Sequence, residues 1–138
     1  MKTLQLTHPH SILEAIKKRP RSVKELVIHS ERAKGVWAEV ARLALSQEPI
    51  RVREPKKAET FFAQIAPKEP LEWATVLSRA SALNSGLWLA LDQIQDPHNV
   101  GAIFRSAAAF GVRGILMTQD RSASLSETVY DVASGGIY

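Results

Sequence analysis

Two short unbroken apolar runs constrain this chain most. LWLAL covers residues 87–91 and GILM covers 114–117, with DPHNVGAIFRSAAAFG (residues 96–111) between them. Strands without alternation are buried on both faces, as in parallel sheets. The intervening segment places Val100, Ile103, Phe104, Ala107 and Phe110 at helical spacing, so these five should face a sheet. Strands are expected over Leu87–Gln93 and Gly114–Asp120 with a helix from Asn99 to Phe110 between them, and strand, helix, strand requires a crossover connection and hence parallel pairing. A second helix is expected over 124–134 (SLSETVYDVAS), with Ser124 and Glu127 as a capping box and Gly135-Gly136 as its stop. Ile137-Tyr138 reads as the start of a third strand.

The first half has a different pattern. SILEAIKK (11–18) is expected as a helix capped by Ser11 and ended by Pro20, and VKELVIH (23–29) as a strand. Ser30 should cap a helix reaching Ser46, IRVRE (50–54) alternates like a short strand, and Pro55 should open a helix through KKAETFFAQI. Residues 1–66 therefore read as α-β-α-β-α, a small α/β sandwich. Two Pro, several Ser and weak periodicity make 67–86 an expected linker with at most a helical turn. The fold class is thus α/β in two parts, a small sandwich followed by a parallel-sheet unit. Two parallel strands and two helices make a poor domain alone, so something further should complete the second sheet.

Composition enters here. The net charge of +4 is unevenly spread: residues 1–70 hold 14 Lys/Arg against 8 Asp/Glu, and residues 71–138 hold 4 against 6. A basic half beside a mildly acidic one suggests a polyanion-binding module joined to a module with another task, with a merely solvated basic surface as the alternative. No Cys is present, which excludes disulfides and thiolate metal sites and fits a reducing, cytoplasmic setting. His8, His10, His29 and His98 have no metal-ligand spacing. The longest apolar runs are far short of the roughly 20 residues that span a bilayer.

Within 96–111, Asp96-Pro97 reads as a turn and Asn99 as the helix N-cap, with Gly111 in the left-handed position that ends the helix. Gly101 sits inside the first turn, where Gly costs roughly 1 kcal/mol against Ala. It precedes Arg105 by four residues, and Ala102, Ser106, Ala108 and Ala109 surround that Arg with small side chains. One guanidinium on such a surface either holds a phosphate or a developing anion, or sits in a salt bridge at a close-packed helix interface. There is no Walker A loop and no dinucleotide glycine fingerprint.

DPHNVGAIFRSAAAFGV, the apolar strand after it and DRSASLSETVYDVASGG together resemble the SpoU (TrmH-like) family of RNA 2′-O-ribose methyltransferases, in the SPOUT superfamily. The basic N-terminal part resembles the ribosomal-protein-like substrate-binding domain of the rRNA-methylating branch. The resemblance implies methyl transfer from S-adenosylmethionine to an RNA ribose, with 23S rRNA the expected substrate, no metal and a homodimeric enzyme. It divides the chain into an RNA-binding domain (1–66), a linker (67–86) and the N-terminal half of the SPOUT domain (87–138). It assigns catalytic roles to Arg105 and Asn99, Arg105 either helping the 2′-hydroxyl lose its proton or binding the adjacent phosphate. Gly101 would admit backbone or RNA. Lys17, Lys18, Arg19, Arg21 and Lys24 are the phosphate contacts. The family's cofactor-binding knot lies in a part with no counterpart here, so no cofactor residue is assigned and the chain alone is expected to be inactive. A non-catalytic RNA-binding module is the alternative.

Overall fold

The computed structural model describes residues 3–82 and 85–138. Leu83 and Asn84 of the expected linker, and Met1 and Lys2 of the expected first domain, lie outside the described residues. The chain runs β1 (Leu4–Leu6), α1 (Pro9–Lys18), a 3-10 turn (Pro20–Ser22), β2 (Val23–Val27), α2 (Val36–Leu45), β3 (Arg51–Arg53) and β4 (Phe62–Ile65). It continues through α3 (Trp73–Ser81), β5 (Trp88–Leu91), α4 (Pro97–Ala109), β6 (Gly114–Met117) and α5 (Glu127–Ala133). The first four strands form one mixed sheet in the order β1-β4-β2-β3. β2 and β3 are parallel, and β4 runs antiparallel to both β1 and β2. β5 and β6 pair in parallel, Trp88 opposite Gly114 through Leu91 opposite Met117, as the strand-helix-strand pattern requires.

Several expected elements differ. The helix expected after Pro55 is instead a loop and β4. Phe62, Ala63 and Ile65 are buried in a strand laddered on both sides, and that ladder overrides the helical propensity of KKAETFFAQI. β1 was not expected, because three residues carry too little alternation to read. α1 starts at Pro9 rather than Ser11, since proline is preorganised for the first helical position. Ser11 is buried and its hydroxyl donates to the Tyr130 carbonyl at 2.7 Å. α2 starts after Gly35, whose φ of +58° sets the turn, and not at Ser30. Residues 73–81 of the expected linker form a nine-residue helix, none of it buried. α5 starts at Glu127, and the expected Ser124–Glu127 box is absent because Glu127 accepts from the Gln5 amide at 2.7 Å. Ile137 and Tyr138 form no strand: Gly135, at φ +91°, turns the chain back so that Ile137 enters the core.

α5 fastens the two parts together. Its Asp131 accepts from the Thr7 amide (3.0 Å), the Thr7 hydroxyl (3.1 Å) and the His8 amide (3.3 Å). Val100, Val129, Tyr130, Ala133 and Ile137 lie in one apolar cluster with Leu4, Leu6, Ile12 and Ile16. By contrast β5 and β6 contain no fully buried residue, unlike the doubly buried strands expected, and Trp73, Leu77 and Phe110 are exposed. No helix among the described residues is long and apolar enough to cross a membrane.

Candidate functional site

α4 presents the first group of candidate residues. Its N-cap is Asp96, whose Oδ1 accepts from the His98 amide at 2.9 Å, with Pro97 at the first helical position. The cap expected at Asn99 is therefore displaced by three residues, and Asn99 projects as an exposed side chain of the first turn. Val100 and Ala107 are buried, and Ile103 and Phe104 are half-buried. Phe110 is 81% exposed, contrary to its expected place against a sheet, because it lies past the helix end where Gly111 (φ +67°) turns the chain.

Gly101 is buried against α5. A Cβ there would lie 2.7 Å from the Val132 Cβ and 2.9 Å from the Val129 carbonyl oxygen, both impossibly short. The close approach expected at Gly101 is therefore made by α5, through the Val132 side chain and the Val129 carbonyl, and the RNA contact expected of it is not available in this geometry. Gly136 makes a matching approach from the far end of α5. A Cβ on it would lie 2.6 Å from the Phe104 carbonyl oxygen and 2.8 Å from the Arg105 Cα. The backbone of α4 at Arg105 is thus held from behind by glycine on the neighbouring segment.

The side chain of Arg105 is exposed and has no ion-pair or hydrogen-bond partner among the described residues. Ser106, Ala108 and Ala109 are exposed around it. Of the two possibilities left open by spacing, the salt bridge is not formed among the described residues, and the guanidinium lies on a surface of small side chains. Such a group can hold a phosphate or offset a developing oxyanion. Asn99 does not converge with it: six positions separate them by about 9 Å along the axis and about 120° around it.

The basic candidates gather elsewhere. Lys18, Arg19, Arg21 and Lys24 line one cleft of about 650 Å³ with Pro20, Ser22, Ala66, Pro67 and Glu69. The 3-10 turn at Pro20 brings them together by reversing the chain between α1 and β2. Lys17 points away and pairs with Glu39 of α2 at 3.0 Å. Lys18 pairs with Glu14 at 3.3 Å and reaches the Gly135 carbonyl at 3.4 Å, and Lys24 donates to the Arg21 carbonyl at 3.0 Å. Nη1 of Arg19 is buried without a partner among the described residues.

Sequence reasoning missed the residues that connect this cleft to α5. The Lys68 amide donates to the Tyr130 hydroxyl at 2.6 Å, and the Lys68 ammonium reaches the Ile137 carbonyl at 3.4 Å. Burial, then Arg19 and Arg79, lower the affinity of Lys68 for its proton. Burial likewise holds Tyr130 and Tyr138 protonated above the usual phenol range. The Gly135-Gly136 pair was the available signal for the approach to α4. One glycine suffices to end a helix, so the second points to close backbone contact.

Residues 86–138 match the SpoU rRNA Methylase family. The 23S rRNA (guanosine-2′-O-)-methyltransferase RlmB of Acinetobacter baylyi is 53% identical over 53 residues, covering 38% of this chain and 21% of that protein. RlmB of Nitrosomonas europaea is 32% identical over 93% of this chain and 53% of its own length. The fold is similar to that of the SpoU methyltransferase AviRb of Streptomyces viridochromogenes, solved with AdoMet. There the TM-score is 0.68 at 19% identity, over 97% of this chain and 52% of that one. The chain spans about half the length of the full-length relatives it matches.

Proposed function

We propose that this chain, whose residues 86–138 carry the SpoU methylase segment, serves 2′-O-ribose methylation of 23S rRNA. The observation that carries the reading is the unpaired Arg105 guanidinium, exposed on the helix where the family match falls. A ribose hydroxyl is a weak nucleophile. A guanidinium held by its backbone beside that hydroxyl stabilises the alkoxide as the proton leaves, or fixes the adjacent phosphate so that the hydroxyl is aligned. The bracing of α4 by Gly101 and Gly136 supports this role, since preorganisation requires a rigid support. Asn99, on a different face, acts in this reading on another part of the substrate.

Residues 1–66 are in this reading the small α/β RNA-binding domain, 67–86 the linker and 87–138 the N-terminal half of the SPOUT domain. Lys18, Arg19, Arg21 and Lys24 contact RNA phosphates in their shared cleft, while Lys17 contributes long-range charge. S-adenosylmethionine supplies the methyl group. Its binding is assigned to the knotted part of the relatives that this chain does not cover. In this reading the enzyme is a cytoplasmic homodimer assembled through the SPOUT domain, and the half-covered β5-β6 sheet leaves apolar surface for that contact.

The test is the 2′-O-methylguanosine content of 23S rRNA, measured by nucleoside mass spectrometry in cells that make or lack the protein carrying this segment. Its loss on deletion supports the reading. Arg105→Ala should abolish the modification while leaving the unfolding free energy within about 0.5 kcal/mol, the change expected of a surface substitution. Unchanged methylation in that variant would remove Arg105 from the mechanism.

A further inference from the structure

We infer that the end of the mixed sheet opposite the Arg19 cleft holds an unpaired RNA base, stacked in a groove lined by Trp37 and Phe61. This rests on the RNA-binding reading and names a second contact for it. β2 and β3 are parallel, with Val27 opposite Arg53, so the loops after them leave the same end of the sheet. β4 begins at that end, with Phe62 opposite Val27, and β1 finishes there. The loops 28–35 and 54–61 are tied together by the His29–Glu54 pair and by His29 meeting Phe61 edge to face. Beside them, a groove of about 530 Å³ is lined by Thr7 after β1, Trp37 of α2, and Glu59, Thr60 and Phe61 of the second loop.

Its chemistry suits a base. Trp37 and Phe61 meet at 79° with centroids 5.4 Å apart. A T-shaped contact uses the edge of one ring and one face of the other, so Phe61, whose ring also meets His29, leaves at least one face of Trp37 unoccupied. The hydroxyl of Thr60 stands at the rim, able to donate to or accept from a base edge. Charge at this end favours a polyanion. The Glu59 carboxylate is held by both Arg53 nitrogens at 2.8 and 2.9 Å, and Glu54 is held by His29. Arg32, Lys34, Lys56 and Lys57 on the same loops are exposed, with no ion-pair partner among the described residues. Glu31 on the first loop is exposed and unpaired among the described residues, so four free cations face one free acid. That excess of positive charge around an aromatic groove matches the stacking-plus-phosphate mode of single-stranded RNA recognition.

The experiment compares a short oligoadenosine with an abasic ribose-phosphate chain of the same length, using the full chain. Trp37 is one of three tryptophans, so Trp73→Phe and Trp88→Phe leave it as the sole indole reporter. The oligoadenosine should bind about tenfold or more tightly than the abasic chain, as one stacked base allows, and should quench Trp37. Trp37→Leu, which keeps an apolar side chain without a π face, should remove that preference and leave the salt dependence intact. Absence of quenching, or a base preference that survives in Trp37→Leu, overturns the stacking site while phosphate-driven binding persists. Failure of both probes to bind overturns the RNA reading along with it. The quenching measurement leaves Trp37 in place, so it decides the matter even where the Leu variant folds poorly.

Discussion

At the scale of single residues, two glycines and one carboxylate show how local chemistry is set by distant neighbours. Gly101 costs helix propensity, yet a Cβ at 2.7 Å from Val132 would cost more. Gly101→Ala should lower stability by about 1–3 kcal/mol, the range for overpacking. Val132→Gly, which removes the Cβ that the new methyl would meet, should recover part of that loss in a double-mutant cycle followed by denaturant unfolding. Equal losses with and without Val132 would mean that the contact is not the cause. Glu59 gives a pH prediction. Its bidentate contact with Arg53, then the Lys56 amide, lower its pKa from 4.5 to about 2. A depressed carboxylate stabilises the fold above its unfolded pKa, and that contribution disappears as pH falls from about 4.5 toward 2. The amides of 54–60 should therefore lose exchange protection over that window, and Glu59→Gln should make them insensitive to it. The motif residues themselves were legible from sequence, because Asn99, Gly101 and Arg105 form a local pattern. The freedom of the Arg105 guanidinium was not, since only the fold decides whether a carboxylate reaches it.

At the scale of elements, α5 is the hinge pin of the molecule. It contacts α4 through glycines, and α1 and β1 through Asp131, Glu127 and the Tyr130 carbonyl. Bonds to a charged acceptor contribute about 1.5–3 kcal/mol each in favourable settings, and the three at Asp131 are largely exposed. Asp131→Ala should therefore cost no more than a few kcal/mol. Its diagnostic effect should be faster hydrogen exchange at residues 5–8, with β2 and β4 unchanged. Uniform acceleration across all strands would instead indicate global destabilisation. Elements whose sequences carry strong local signals, such as β5, α4 and β6, were legible to within a few residues. β1, β4 and the start of α2 were not. β4 reads as helix until β1 and β2 flank it, and α2 begins at a left-handed glycine that no periodicity reveals.

At the scale of the whole molecule, the charge asymmetry becomes a spatial arrangement. Basic side chains occupy both ends of the mixed sheet, one cleft near α5 and one loop cluster away from it. RNA binding should weaken steeply with salt, because each neutralised phosphate releases counterions. Changing Arg21 and Lys24 together to Gln should reduce the slope of log K against log salt by about 1.4, at roughly 0.7 per single-strand phosphate contact. Filter binding over a salt series checks this, and an unchanged slope would take the cleft out of the interface. The parallel β5-β6 pair, the helix between them and the basic first half were determined by the sequence itself, because apolar runs, helical spacing and charge are properties of neighbouring residues. The tertiary structure alone decided that four of the five basic candidates share a cleft, that Lys17 pairs elsewhere, that Gly101 faces α5, and that Trp37 meets Phe61. Each of those outcomes depends on residues far apart in the chain meeting across a packed core, and their positions become known only when the chain has folded.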